Sequence, residues 1–176
     1  GWKFFGNLLD SNMITICGEE SFGTGSHHVR EKDGLWAVLF WLQILACRKC
    51  SVSELIHNHW HHFGRNYYTR HDYEAIPKDI ATQIYQNLEH LLPQLKNNKF
   101  ANSLVLNADN FTYTDPVDNS LSKNQGLRII LENNSRIILR LSGTGTKGST
   151  LRIYFEKSSQ TNEKLNLNTQ VALSEL

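Results

Sequence analysis

A chain of 176 residues with 18 basic and 17 acidic side chains, net charge +1, has no surplus of cations to neutralise a row of nucleic-acid phosphates. Its 40% hydrophobic content suits a soluble chain with one substantial core or two small ones, and its apolar stretch from Leu35 to Ala46 is too short to span a bilayer. Three cysteines, an odd number, point to a reducing compartment, so a cytoplasmic protein without nucleic-acid or membrane partners is expected, binding small anions if any. Gly1 stands where an initiator Met would, and the chain is expected to begin partway through a larger protein.

Met13-Ile14-Thr15-Ile16-Cys17 is a short β-rich run ended by glycine and predicts a buried strand. The loop CGEESFGTGSHH follows, with Asp33 as N-cap of a helix over Gly34–Ala46 that is apolar nearly all round and is expected to be covered on most sides. Ser51-Val52-Ser53-Glu54 is a capping box opening a second helix, with Gly64 as its stop. Asn66 to Glu74 is aromatic, polar and aperiodic and reads as a connection between domains, with a boundary near Arg70. Pro77 starts a helix whose expected apolar face is Ile80, Ile84, Leu88 and Leu91. Strands are predicted at Ser103–Leu106, Phe111–Tyr113, Gly126–Leu131, Arg136–Leu141 and Thr150–Phe155, with Glu132-Asn133-Asn134-Ser135 as a hairpin turn. The polar tail ends as Val171-Ala172-Leu173 begins a helix, expected to be truncated at Leu176. The fold class is therefore an α/β segment, the end of a mixed-sheet α/β/α domain, over 1–69, followed over 70–176 by an α+β domain with a mainly antiparallel sheet.

Arg140-Leu141-Ser142-Gly143-Thr144-Gly145-Thr146-Lys147-Gly148-Ser149-Thr150-Leu151-Arg152 is the strongest chemical signal. Glycines let backbone N–H groups turn inward as an anion nest, Ser142 and Thr144 add hydroxyl donors, and Arg140 and Arg152 supply guanidinium forks matched to phosphate oxygens. The other reading is an ordinary hairpin loop, against which the paired arginines weigh. In the loop from Gly18 to His28, carboxylates beside hydroxyls and glycines suit sugar recognition, because sugar hydroxyls donate to carboxylates and a close approach needs small residues. A solvated turn capping the next helix accounts for the same residues. Cys47-Arg48-Lys49-Cys50 has redox spacing but falls after its helix, where unpaired thiols are expected. His57-Asn58-His59-Trp60-His61-His62 lacks the further ligands and outer shell of a zinc site, so no metal ligand is assigned in this chain.

Gly18-Glu19-Glu20-Ser21-Phe22-Gly23-Thr24-Gly25-Ser26, the run from His28 to Leu39 and Arg140-Leu141-Ser142-Gly143-Thr144-Gly145 closely resemble phosphoglucomutase of the α-D-phosphohexomutase superfamily. Gly1–Leu8, His59-Trp60-His61, Phe63-Gly64-Arg65-Asn66 and Asp115-Pro116-Val117-Asp118 extend the resemblance over nearly the whole chain. It implies the end of a sugar-binding third domain and most of a phosphate-binding fourth, with a TATA-binding-protein-like sheet. It further implies that Gly1, Glu19, Ser21 and Lys32 bind substrate, that Lys32 faces the reacting phosphoryl group, and that Arg140, Ser142, Gly143, Thr144, Gly145 and Arg152 hold the idle phosphate. His27 stands where the family usually has aspartate. The implied parent interconverts glucose 1-phosphate and glucose 6-phosphate through an enzyme phosphoserine and glucose 1,6-bisphosphate, with Mg2+ as cofactor and upstream domains of the same protein as partners. The phosphoserine segment and magnesium loop are not among these residues, so the chain alone is expected to be inactive. A mutase of other sugar preference and a catalytically silent cytoskeletal binding relative remain the alternatives; Glu20 and Gly145 favour the glucose enzyme.

Overall fold

The computed structural model describes residues 2–19, 22–100, 102–145, 148–161 and 164–176, the backbone alone at 143–145. Along the chain run α1 (Trp2–Asp10), β1 (Ile16–Gly18), β2 (Thr24–Ser26), α2 (Gly34–Arg48), α3 (Val52–Phe63), β3 (Arg65–Ile76), α4 (Lys78–Leu95), β4 (Lys99–Phe100), β5 (Ser103–Asn110), β6 (Tyr113–Thr114), β7 (Leu121–Ser122), β8 (Leu127–Leu131), β9 (Ser135–Gly145), β10 (Gly148–Ser159) and α5 (Thr169–Ala172). They form two compact units, residues 1–58 with 114–121 and residues 59–113 with 122–176.

In the first unit the strand expected from Met13 begins only at Ile16, because the chain before it closes α1. Asn12 takes a left-handed φ of 56°, and the Met13 amide donates to the Leu8 carbonyl at 2.9 Å. β1 pairs antiparallel with β2, Cys17 opposite Gly25, so the hydroxyl-rich loop is itself half of a hairpin. Asp33 caps α2, its Oδ1 accepting from the Trp36 amide at 2.9 Å, and Lys49 ends the helix in the left-handed conformation. Among the described residues the expected cover over α2 is not found: Leu35, Val38, Leu39 and Leu42 are exposed. An all-apolar helix states a need for neighbours without stating which part of a protein supplies them. The capping box forms as read, with the Ser51 amide and hydroxyl both donating to Glu54 Oε2 at 2.8 Å and holding its carboxyl below the ordinary range. Asp115 is almost fully buried, accepting from Asn7 Nδ2 of α1 at 3.0 Å and from the Val117 amide at 2.9 Å.

The second unit is built on a six-stranded sheet of order β3-β10-β9-β8-β5-β4, every neighbouring pair antiparallel. The period-2 alternation of β8 and β9 sends Leu127, Ile129, Leu131, Ile137 and Leu139 to one face, where they form the core with Val105 and with Leu92 of α4. Each such side chain contributes roughly 1.5–3 kcal/mol by leaving water. The face that α4 turns to them is Tyr85, Leu88, Leu92 and Leu95, rotated from the expected one; Ala81 is buried, and Ile80, Ile84 and Leu91 are exposed. Counting only branched aliphatics passed over Ala81, which is buried, and Tyr85. The run read as a connection, Asn66 to Glu74, lies within β3, the edge strand against β10. Tyr67 is its one buried residue, so no alternation marked it, although Tyr67, Tyr68, Thr69 and Tyr73 are strand formers.

Arg65 fastens the C-terminal segment to this sheet. Its guanidinium lies 3.9 Å from the Trp60 ring centroid and 4.2 Å from that of Tyr67, while Nη1 donates to the Leu165 carbonyl at 2.7 Å. The Tyr67 hydroxyl donates to the Lys164 carbonyl, and Tyr67 packs with Ala172 and Leu173. Among the described residues no single helix is long and apolar enough to cross a membrane.

Arg65→Met keeps the stem but removes the hydrogen bonds and the ring contacts, and is expected to cost about 2–3 kcal/mol. Hydrogen exchange read amide by amide should show residues 164–176 losing protection together; unchanged protection there would refute the clamp. A second expectation concerns acid. Arg128 Nε and Nη2 donate to the two oxygens of Asp109 at 2.9 and 2.7 Å, and this fork holds the Asp109 carboxyl below its ordinary value. A depressed folded-state value means stability that is present above about pH 3.9 and lost as pH falls through the folded value. Protection of the β5 and β8 amides should therefore exceed that of Asp109→Asn by about 1 kcal/mol at pH 7, and the gap should close on acidification.

Candidate functional site

In the first unit the β1–β2 hairpin presents Glu19. The Glu19 amide donates to the Gly23 carbonyl at 2.9 Å and the Phe22 amide to the Glu19 carbonyl at 3.0 Å, closing a turn in which Phe22 has φ of 66° and is largely exposed. Gly1, Glu20 and Ser21 lie outside the described residues. Lys32, on the segment leading to α2, pairs its ammonium with Glu19 Oε2 and rests 5.2 Å from the Trp2 ring centroid. Both partners remain partly open to solvent.

The hairpin fits around these groups because its glycines carry no side chain. A Cβ at Gly23 would stand 2.7 Å from Lys32 Cδ, and one at Gly25 would stand 2.8 Å from Trp2 Cζ2. Trp2 is fixed in turn, its indole N–H donating to the Arg30 carbonyl at 3.2 Å. Arg30 pairs with Asp10 and donates through Nε to the His27 carbonyl at 2.7 Å. His28 meets Ser26 Oγ at 3.1 Å, and that oxygen also accepts from the Val29 amide, so the histidine serves the turn. Cys17 is buried beneath the hairpin, and its burial pushes the thiol up.

In the second unit the register of β10 sets a row of charge. Arg152 stands directly opposite Arg140 of β9 on one side and Asp72 of β3 on the other, and partners across a ladder share a sheet face. Asp72 Oδ1 lies 2.9 Å from Arg70 Nε and its Oδ2 lies 3.8 Å from Arg152 Nε, which is buried without a hydrogen-bond partner among the described residues. Arg140 is exposed and has no carboxylate partner among them. Arg152 thus stands between a like charge and a carboxylate that also pairs with Arg70. Like charges directly opposite each other on a ladder cost up to about 1 kcal/mol, which a bound anion would reverse.

The loop expected between the arginines is mostly strand, since β9 runs to Gly145 and β10 resumes at Gly148, leaving Thr146 and Lys147 outside the described residues. Its irregularity is a bulge: with Gly148 opposite Gly145 and Thr150 opposite Ser142, the residues Gly143 and Thr144 of β9 face Ser149 alone. A bulge frees backbone groups from the ladder and re-aims them, which a nest requires and a regular hairpin denies. β3 bulges at the same level, with Glu74 and Ala75 facing Thr150 and Ala75 at φ of 57°. The sequence reading missed Arg70 and Asp72. Their two-residue spacing inside a Tyr- and Thr-rich run was the available signal.

His59 and His62 pack on Phe63 with ring centroids 4.9 and 4.4 Å apart, and Cys47 and Cys50 are free thiols. Among the described residues no group of three His, Cys, Asp or Glu could hold a metal ion.

Residues 1–63 match the family model described as phosphoglucomutase/phosphomannomutase, alpha/beta/alpha domain III, and residues 65–176 match phosphoglucomutase-1, C-terminal domain. The phosphoglucomutase of Rhizobium radiobacter is 56% identical over the whole chain, which spans 32% of that protein. Phosphoglucomutase-1 of Oryctolagus cuniculus is 54% identical, again over the whole chain and 32% of its own length. Among solved structures, the open form of the Paramecium exocytosis-sensitive phosphoprotein pp63/parafusin, titled a phosphoglucomutase, superposes with a TM-score of 0.85 at 48% identity, covering 99% of this chain and 30% of that one. The chain belongs to the phosphoglucomutase family and spans about a third of the length of the relatives it matches.

Proposed function

We propose that this chain supplies the sugar-hydroxyl and idle-phosphate recognition of a cytoplasmic phosphoglucomutase, an isomerase that interconverts glucose 1-phosphate and glucose 6-phosphate. The observation that carries the reading is the row Arg140–Arg152–Asp72, two guanidiniums directly opposite each other at the bulged end of a sheet with one carboxylate beside them. Such a row favours a compact dianion, and phosphate oxygens fit the guanidinium fork two at a time. The charge-balanced remainder of the chain offers no reason to expect a polymer instead.

In this reading a phosphoryl group passes from an enzyme serine outside the chain to the sugar, giving glucose 1,6-bisphosphate, and after the sugar turns over the other phosphoryl group returns to the serine. Catalysis of this kind rests on position and charge rather than on covalent work by many residues. Arg140, Arg152 and the backbone of Ser142–Gly145 would hold the phosphate that is not reacting. Glu19 and Ser21 would accept and donate to ring hydroxyls, Gly1 would line the substrate, and Lys32 would face the phosphoryl group in transfer. Because the sugar binds either way round, both sites would act in both half-reactions. Mg2+ would serve the parent enzyme from ligands elsewhere.

Arg140→Lys in the full-length protein is the test. Charge is kept and the fork is lost, so kcat/KM for glucose 1-phosphate should fall about ten- to hundredfold and inhibition by inorganic phosphate should weaken with it. A variant with full activity and undiminished phosphate inhibition would overturn the assignment of this row.

A further inference from the structure

We infer that Glu19 is a placeholder on Lys32: an arriving phosphoryl anion takes the Lys32 ammonium, and only then is the Glu19 carboxylate released to accept sugar hydroxyls. The inference deepens the proposed function and rests on its assignment of these two residues.

The position of Lys32 does not depend on Glu19. Its stem occupies the space that a side chain at Gly23 would fill, and its ammonium lies over the Trp2 ring, which is itself pinned to the Arg30 carbonyl and seated on Gly25. Glu19 is fixed differently: two backbone hydrogen bonds hold its main chain in the turn, while the ion pair to Lys32 directs its side chain. One partner is therefore set by packing and the other by the pair. A carboxylate that shares its charge with an ammonium is a weaker acceptor for hydroxyl donors than a free one. A phosphoryl group with more than one negative charge attracts the same ammonium more strongly than a single carboxylate does, so it displaces Glu19 without moving Lys32.

Two consequences follow from linkage. Phosphate at Lys32 raises affinity for the sugar ring at Glu19, and by reciprocity the ring raises affinity for phosphate. An unphosphorylated sugar meets the pair still closed and is discriminated against, although nothing in the loop blocks it. Trp2 is in this account a positioning residue, since it keeps the ammonium in place while its anionic partner changes.

The test measures two ligands by calorimetry on the full-length protein. Inorganic phosphate is titrated in an Arg140→Ala background, which weakens the arginine row so that the Lys32 site dominates. There Glu19→Gln should tighten phosphate about two- to fivefold, the range of one exposed ion pair. In otherwise unsubstituted protein the same change should weaken glucose 1-phosphate about ten- to hundredfold. Phosphate binding that is unchanged or weakened by Glu19→Gln overturns the exchange. Failure of the unsubstituted protein to bind glucose 1-phosphate overturns instead the proposed function, and the phosphate arm still decides the exchange. Should the Gln variant not fold, the unsubstituted protein suffices: on phosphate titration the Lys32 ammonium and the Glu19 carboxyl resonances should move together, and a Lys32 shift with Glu19 stationary overturns the inference.

Discussion

Strand β10 holds Arg152 between a like charge and an opposite one, and much of the second unit is the means of keeping it there. Register alone puts Arg140 opposite, and register is fixed because a slip of one residue would turn Leu151, Ile153 and Phe155 out of the core and Arg152 into it. The apolar face therefore enforces the polar one. Burying Leu127, Ile129, Ile137 and Leu139 under α4 offsets many times over the repulsion between two arginines, so a sheet that would not choose that opposition for its own sake tolerates it.

The two bulges complete the arrangement at the end of the same ladder. An antiparallel hairpin with regular pairing would consume the amides of Ser142–Gly145, and a loop without pairing would leave them unordered. A bulge at Gly143 and Thr144 keeps the strands aligned on either side while releasing backbone between them. Gly148 shows how close the packing is, since with φ of 110° a Cβ there would stand 2.8 Å from the Ile76 carbonyl oxygen. The matching bulge in β3 leaves that carbonyl where it is, so the rim is shaped by two strands at once.

Most of the second unit's strands were legible because one face of each is buried and the other is not, which writes period 2 into the residues. β3 was illegible for the same reason reversed: an edge strand with one buried residue has no alternation to read, and with it went Arg70 and Asp72. The core face of α4 was misplaced by one position because alanine and tyrosine count for little in an aliphatic pattern, although Ala81 is buried and Tyr85 packs on the core. At the candidate sites the residue types could be read and the pairings could not. Arg140 and Arg152 are plainly two cations flanking glycines, but that they oppose each other follows only from a bulge that shifts the count by one. Glu19 and Lys32 are 13 residues apart, and their ion pair depends on a hairpin whose second strand the sequence hid inside a loop.

The two units keep charge at a candidate site by different physical means. A lone ammonium on a short segment can be held only by what touches it, so Lys32 has a ring beneath it, a glycine beside its stem and a carboxylate on its charge. Such a group is never unpaired, and any ligand must compete with the partner already present. The arginines of the sheet are instead fixed by backbone register, which does not require their charges to be matched. Arg140 and Arg152 stand opposite each other, and the carboxylate beside Arg152 also pairs with Arg70. In the proposed reading an anion entering the first site would exchange with a resident carboxylate, whereas one entering the second would relieve a repulsion, and exchange binding is the weaker and the more readily reversed. A site that must let go of a group in transfer suits the first construction, and a site that anchors an unreacting phosphate suits the second.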